Sequence, residues 1–200
     1  MKTDVMSAGK KVVAIASSTG GPKALQEVIP LLPKSLKAPV LIVQHMPAGF
    51  TAALADRLDN LSPMKVCEAR EGDILEDGQV YMAKGGCHMN VVRQAGRHVI
   101  HYTDEPPREG VRPCANFMYE SLAESTYDEV ICVVMTGMGA DGTAGIKNLQ
   151  SKKKTTVISQ SEDTCIVYGM PRSVVLAGIS QAEVPLTEIA NEIIKNVGVV

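Results

Sequence analysis

An α/β fold is what this 200-residue sequence predicts: a mostly parallel sheet with helices on both faces and a small antiparallel insert. Three observations carry that expectation. Apolar, β-branched runs at 12–16, 40–44, 130–135 and 155–159 alternate with stretches of helical periodicity. The runs are apolar along their length rather than at every second residue, as strands buried on both faces must be. Between 65 and 102 the pattern changes to short strands separated by Gly-containing turns, which reads as antiparallel.

Taken in order, the polar stretch 1–10 reads as a linker or cloning remnant, leaving 11–200 as one domain. Strand 12–16 breaks at Ser17-Ser18-Thr19-Gly20-Gly21, and Pro22, suited to a first helical turn, opens a helix to about 32. Strand 40–44 ends just before His45. After the loop Met46-Pro47-Ala48-Gly49, residues 50–61 form an amphipathic helix through Phe50, Leu54, Leu58 and Leu61. Four short strands, 65–68, 79–82, 88–92 and 98–102, make up the antiparallel insert, with turns at Glu71-Gly72-Asp73 and Asp77-Gly78. A Pro-rich stretch, 105–113, leads to a helix over 115–124. Strand 130–135, a Gly-rich loop over 136–142, a helix over 143–150 and strand 155–159 restore the alternation. A closing helix over 186–197 carries Leu186, Ile189, Ile193 and Val197 on one face.

Composition narrows the function. The net charge of −2 gives no global electrostatic case for nucleic acid or an anionic membrane surface. Trp is absent and aromatics make up 4% of residues, too few for a single-strand stacking platform. The five cysteines are odd in number, scattered and without a C-x-x-C pair. That argues against a disulfide framework or a structural zinc site and for reduced thiols in the cytoplasm. No leader and no apolar run of ~18 residues is present, so neither secretion nor membrane insertion is expected.

In parallel α/β sheets functional groups gather at the carboxyl ends of the strands. That rule selects the loops after Ala16, Gln44 and Met135, which carry Ser18, His45 and Asp141. A serine hydroxyl is a poor nucleophile until a base takes its proton, and an imidazole base is oriented by a carboxylate. The three residue types are therefore what acyl transfer requires. Each has an ordinary alternative. The loop after Ala16 lacks both G-x-G-x-x-G and a Walker Lys-Ser/Thr pair, and from spacing alone phosphate binding and nucleophilic catalysis stand level. Asp141, taken singly, reads as a cap of the helix that follows it. His45 alone is compatible with a structural histidine. The three together tip the reading toward a serine hydrolase.

At these residues the sequence resembles a known family. Ser18-Thr19-Gly20-Gly21, Gln44-His45-Met46-Pro47 with Gly49-Phe50, Thr136-Gly137-Met138-Gly139 with Asp141-Gly142, and Tyr168-Gly169-Met170-Pro171 are similar to the catalytic domain of the chemotaxis protein-glutamate methylesterases, CheB. The resemblance runs from about Lys11 to Val197. It implies a doubly wound α/β fold, Ser18 as nucleophile, His45 as general base and Asp141 as orienting carboxylate. His45 Nε2 is expected near Ser18 Oγ and Asp141 near His45 Nδ1. The backbone N–H groups of Thr19 and Met138 are the oxyanion candidates. The implied substrate is a glutamate γ-methyl ester on the cytoplasmic helices of a methyl-accepting chemotaxis receptor, releasing methanol, with receptor glutamine deamidation as a companion reaction. No metal or cofactor is implied, and a monomer is the simplest state.

Family members usually carry an N-terminal receiver domain, which this chain lacks; its linker-like start favours an excised domain. Two departures from the family pattern, Ala140 and Cys114, are expected to leave the triad untouched, Cys114 at most weakening a helix cap. His88 reads as a hydrogen-bonded structural residue. His98 and His101 fall on opposite strand faces, which disfavours a shared metal. Lys152-Lys153-Lys154 reads as a solvated loop, and Arg108, Arg112 and Arg172 as solvated or facing an acidic receptor surface. The competing functions are a serine esterase of other specificity, a phosphate- or nucleotide-binding module built on residues 17–21, and an inactive receptor-docking domain.

Overall fold

A computed structural model describes residues 9–199. Most of the stretch read as a linker, residues 1–8, lies outside the described residues, as does Val200. A seven-stranded sheet, every neighbouring pair parallel, is formed by β1 (Lys11–Ser17), β2 (Val40–Gln44), β3 (Lys65–Glu68), β4 (Gln79–Met82), β7 (Glu129–Val134), β8 (Lys154–Gln160) and β9 (Ala182–Val184). Their spatial order is β3-β4-β2-β1-β7-β8-β9. A separate antiparallel hairpin joins β5 (His88–Gln94) to β6 (Arg97–Thr103).

Alternation along the central strands divides the core in two. Val13 and Ile15 of β1, with Val40 and Ile42 of β2, pack with residues of α1 (Gly21–Val28), α2 (Thr51–Leu61) and α6 (Leu186–Val197). Val12, Ala14 and Ala16, with Leu41 and Val43, pack with residues of α3 (Ala115–Ser121), α4 (Thr143–Gln150), α5 (Met170–Leu176) and the hairpin. Both faces of these strands are thus dry, which is why they read as continuous apolar runs. Short 3₁₀ turns extend α1 over Ile29–Leu31 and α3 over Leu122–Glu124.

The antiparallel insert expected between 65 and 102 is found for its last two strands, β5 and β6, and not for its first two. β3 and β4 pair parallel with each other and β4 pairs parallel with β2, so both belong to the main sheet. Strands this short carry no length or burial cue to their partner, and the partner of β4 is distant in sequence. α5 and β9, which no periodicity announced, complete the far edge. No helix among the described residues is long and apolar enough to cross a membrane.

The strand order positions the site. From β1 the chain moves to β2 on one side, and from β7 it moves to β8 on the other. The switch point therefore falls between β1 and β7, and its crevice opens at their carboxyl ends.

Candidate active site

Backbone bonds lace three loops together at this crevice. His45 N–H donates to the Ser17 carbonyl over 3.1 Å, Met135 N–H to the Ala16 carbonyl over 2.9 Å, and Ser18 N–H to the Thr136 carbonyl over 2.9 Å. Ser18, His45 and Asp141 are thereby brought to one edge of the sheet.

The two adjacent serines have different fates. Ser17 is the last residue of β1 and fully buried, and its hydroxyl donates to Gln44 Oε1 over 2.6 Å. Ser18 follows it, half-buried, and its Oγ makes no hydrogen bond among the described residues. Gly20, at φ 82°, turns the chain from strand into α1. On the facing loop Gly137 approaches so closely that a Cβ there would lie 2.7 Å from Ser18 Cβ and also meet the Met170 sulfur. Gly137→Ala must displace Ser18 or the loop. Because displacements near 1 Å at a reacting centre cost about 100-fold, a loss of catalytic turnover of at least about that size is expected in the folded variant, read as kcat on an ester substrate.

Asp141 is buried and surrounded by donors. Its Oδ2 accepts from Ala115 N–H at 2.6 Å and from His45 Nε2 at 2.7 Å. Its Oδ1 accepts from Asn116 N–H at 2.9 Å and from the Cys114 thiol at 3.0 Å. Burial pushes the carboxyl up, but the hydrogen bonds from His45, Cys114 and Ala115 outweigh it and hold the group below its ordinary range. The same carboxylate pushes the Cys114 thiol far up, second only to burial itself.

Three expectations change here. The imidazole meets Asp141 with Nε2, not Nδ1, and no hydrogen bond joins His45 to Ser18 among the described residues. The carboxylate is pinned at the start of α3, so the outer nitrogen of the ring reaches it and Nδ1 is the nitrogen left over. Asp141 does cap a helix, but α3, which precedes it by more than twenty residues, rather than α4, which follows it. Finally, Cys114 does touch this group: its thiol is one of the four donors on the carboxylate. Ala140, by contrast, is exposed.

The structure gives roles to two residues that the sequence reading left without one. Asn116 Oδ1, on α3, accepts the N–H of Gly142 at 3.0 Å and of Gly145 at 2.7 Å, capping α4. The two helices therefore cap each other, Asp141 on α3 and Asn116 on α4. Gln44 spans β1 and β2. In the sequence it closes an otherwise apolar run and opens the motif that carries His45.

Among the described residues the N–H groups of Thr19 and Met138 have no intramolecular acceptor. The N–H of Ser18 is taken by Thr136 and that of Gly21 by the Ser18 carbonyl over 2.8 Å. A phosphate cradle needs several converging free N–H groups, so the 17–21 loop is poorly suited to one. An imidazole with one nitrogen held by a buried carboxylate and the other free is equipped for general-base catalysis, beside a serine whose hydroxyl is uncommitted.

Most of the remaining candidates have partners elsewhere. His88 is buried; its Nδ1 accepts the Cys114 N–H and its Nε2 faces the Pro106 carbonyl, each at 3.2 Å. His98 accepts from Thr126 N–H, and His101 pairs with Glu71. Arg108 forms a two-point pair with Glu120 at 2.8 and 3.0 Å, which removes it from the surface cations offered to a partner. Arg112 leans on the carbonyls of Asp104 and Glu105, and Arg172 is exposed on α5. Lys152 and Lys154 are exposed; Lys152 pairs with Glu124, Lys153 donates to two carbonyls, and Lys154, the first residue of β8, pairs with Glu129 of β7. No three His, Cys, Asp or Glu side chains are grouped as metal ligands among the described residues.

Comparison with known proteins bears on the family and the fold. The family model described as CheB methylesterase matches residues 13–193. A Geobacillus kaustophilus protein named protein-glutamate methylesterase/protein-glutamine glutaminase is 46% identical over 187 residues, covering 94% of this chain and 54% of its own length. A Bacillus subtilis protein of the same name is 47% identical over 173 residues, covering 86% of this chain and 48% of its own. This chain thus spans about half the length of the curated relatives it matches. The crystal structure of the Thermotoga maritima CheB methylesterase catalytic domain superposes with a TM-score of 0.90 at 40% identity, covering 96% of this chain and 100% of that one.

Proposed function

This chain belongs to the CheB methylesterase family, and we propose that it hydrolyses glutamate γ-methyl esters on the cytoplasmic helices of methyl-accepting chemotaxis receptors. The observation that carries the reading is the His45–Asp141 pair, 2.7 Å apart at the crevice where Ser18 follows the end of β1.

In this reading Ser18 Oγ attacks the ester carbonyl and passes its proton to His45. With Nε2–H donated to Asp141, Nδ1 holds the lone pair and is the base. The N–H groups of Thr19 and Met138 receive the oxyanion. His45 returns the proton to departing methanol, and water then hydrolyses the acyl-enzyme in the reverse sense, freeing the glutamate. A glutamine side chain enters the same route with ammonia leaving. Exposed Met138 and Ile166, the latter against Gly20, give the approach to Ser18 an apolar rim suited to a receptor helix. The whole-protein setting, including a receiver domain that covers the site, belongs to the same proposal.

The test is methanol release from a methylated receptor cytoplasmic fragment, followed alongside hydrolysis of a simple alkyl ester. Release from the receptor at rates well above the simple ester supports the reading. Hydrolysis of the simple ester alone assigns a serine esterase of other specificity.

A further inference from the structure

The mechanism accounts for Ser18, His45 and Asp141 but not for what fixes the first two against each other. They lie on different strands, and the His45 ring is anchored to Asp141 rather than to Ser18. One buried side chain lies between their backbones. Gln44 is paired in register with Ser17, so the residues that follow each of them are Ser18 and His45. Its Nε2 donates to the Ser18 carbonyl over 3.0 Å and to the His45 carbonyl over 3.2 Å, while its Oε1 accepts the Ser17 hydroxyl over 2.6 Å. The amide orientation follows from chemistry: two carbonyls can only accept, so the NH₂ must face them and the oxygen must face the hydroxyl. Both N–H groups and the carbonyl are therefore used, in a side chain 1% exposed. The fit is close on the other side too, since any side chain at Gly21 would collide with Gln44 Oε1.

We propose that Gln44 is a positioning residue for the reaction, acting as a clamp that sets the distance between the nucleophile Ser18 and the base His45. This rests on the reading of those two residues given above. Gln44 touches no reacting atom. It acts by holding both peptide groups to one rigid amide, and the Ser17 hydroxyl keeps that amide from turning over.

The readout is the rate at which a fluorophosphonate labels the intact chain. In that reaction the Ser18 Oγ–P bond forms, the P–F bond breaks, fluoride leaves and the proton passes to His45. No receptor is involved, so the rate reports the arrangement of the reacting groups at Ser18 and not receptor binding. Gln44→Met keeps the size and removes all three bonds. The folded variant is expected to label about tenfold or more slowly, with kcat for ester hydrolysis falling in parallel and KM unchanged. Labelling at the parental rate overturns the proposal. Should Gln44→Met not fold, Ser17→Ala removes only the hydroxyl that orients the amide. A slowing of about threefold or more there supports the clamp, and the parental rate overturns it. Ser18→Ala separates the two levels of argument. If it still labels, the nucleophile assignment falls and the clamp with it. If it is unlabelled while folded Gln44→Met labels normally, only the clamp falls.

Discussion

Ser18→Ala is expected to abolish methanol release, by a factor on the order of 10⁵–10⁶, while leaving the melting temperature unchanged. The expectation follows from what the hydroxyl does not do. Among the described residues Ser18 Oγ has no hydrogen-bond partner, and the bonds that place the residue run through its backbone, to Thr136 and Gln44. Removing Oγ therefore takes nothing from the fold, and a stability change within about 0.5 kcal/mol is the ordinary result at such a position. Ser17→Ala is the contrasting case. It deletes a buried donor to Gln44 and costs about 1 kcal/mol, yet the nucleophile remains. Paired thermal melts and methanol assays on the two variants distinguish them. A Ser18→Ala protein that keeps activity would falsify the assignment of Ser18 as nucleophile.

Asp141→Asn is expected to damage catalysis and stability together. The carboxylate meets four donors, two on each oxygen. An amide supplies one acceptor oxygen and one NH₂, so whichever way it turns, donor faces donor on one side. The His45 tautomer is no longer enforced, and a loss of activity on the order of 10⁴-fold follows. The N-terminus of α3 loses half its cap, at a cost of about 1–3 kcal/mol. A pH dependence accompanies this. A carboxyl held below its ordinary range binds fewer protons folded than unfolded. The stability it provides is full above the ordinary range near about 4 and is lost as pH falls through the lower folded value. Denaturant titrations from about pH 6 to about pH 3 should show that acid limb in the parent and a shallower one in Asp141→Asn. Identical limbs would remove Asp141 from the list of groups that stabilise the fold.

Much of this site was legible in the sequence because the rule that finds it is topological. Once 12–16, 40–44 and 130–135 were strands of one parallel sheet, their carboxyl ends had to share an edge, and Ser18, His45 and Asp141 lay just beyond them. What stayed hidden was set by contacts distant in sequence. The ring nitrogen that meets Asp141 depends on where α3 begins, and nothing around His45 encodes that. The thiol bond from Cys114 depends on the same packing. β3 and β4 have the length and composition of hairpin strands, and only the vacant edge of β2 makes them parallel. α5 and β9 are seven and three residues long, too short for a period to show, although Pro171 after Gly169 is a usable start signal. Gln44 looked like the polar end of a strand. Its role exists only because Ser17 lies opposite.

The mutual capping of α3 and α4 ties the timing of inactivation to a local event. Opening the first turn of α3 strips Asp141 of its donors from Ala115 and Asn116. It also withdraws the Asn116 oxygen from Gly142 and Gly145. Neither helix start can fray without releasing the other, so the two starts behave as one cooperative unit. On heating, the carboxylate comes loose when that unit opens. Loss of activity on heating is therefore expected to track the opening of both helix starts together rather than of either one alone.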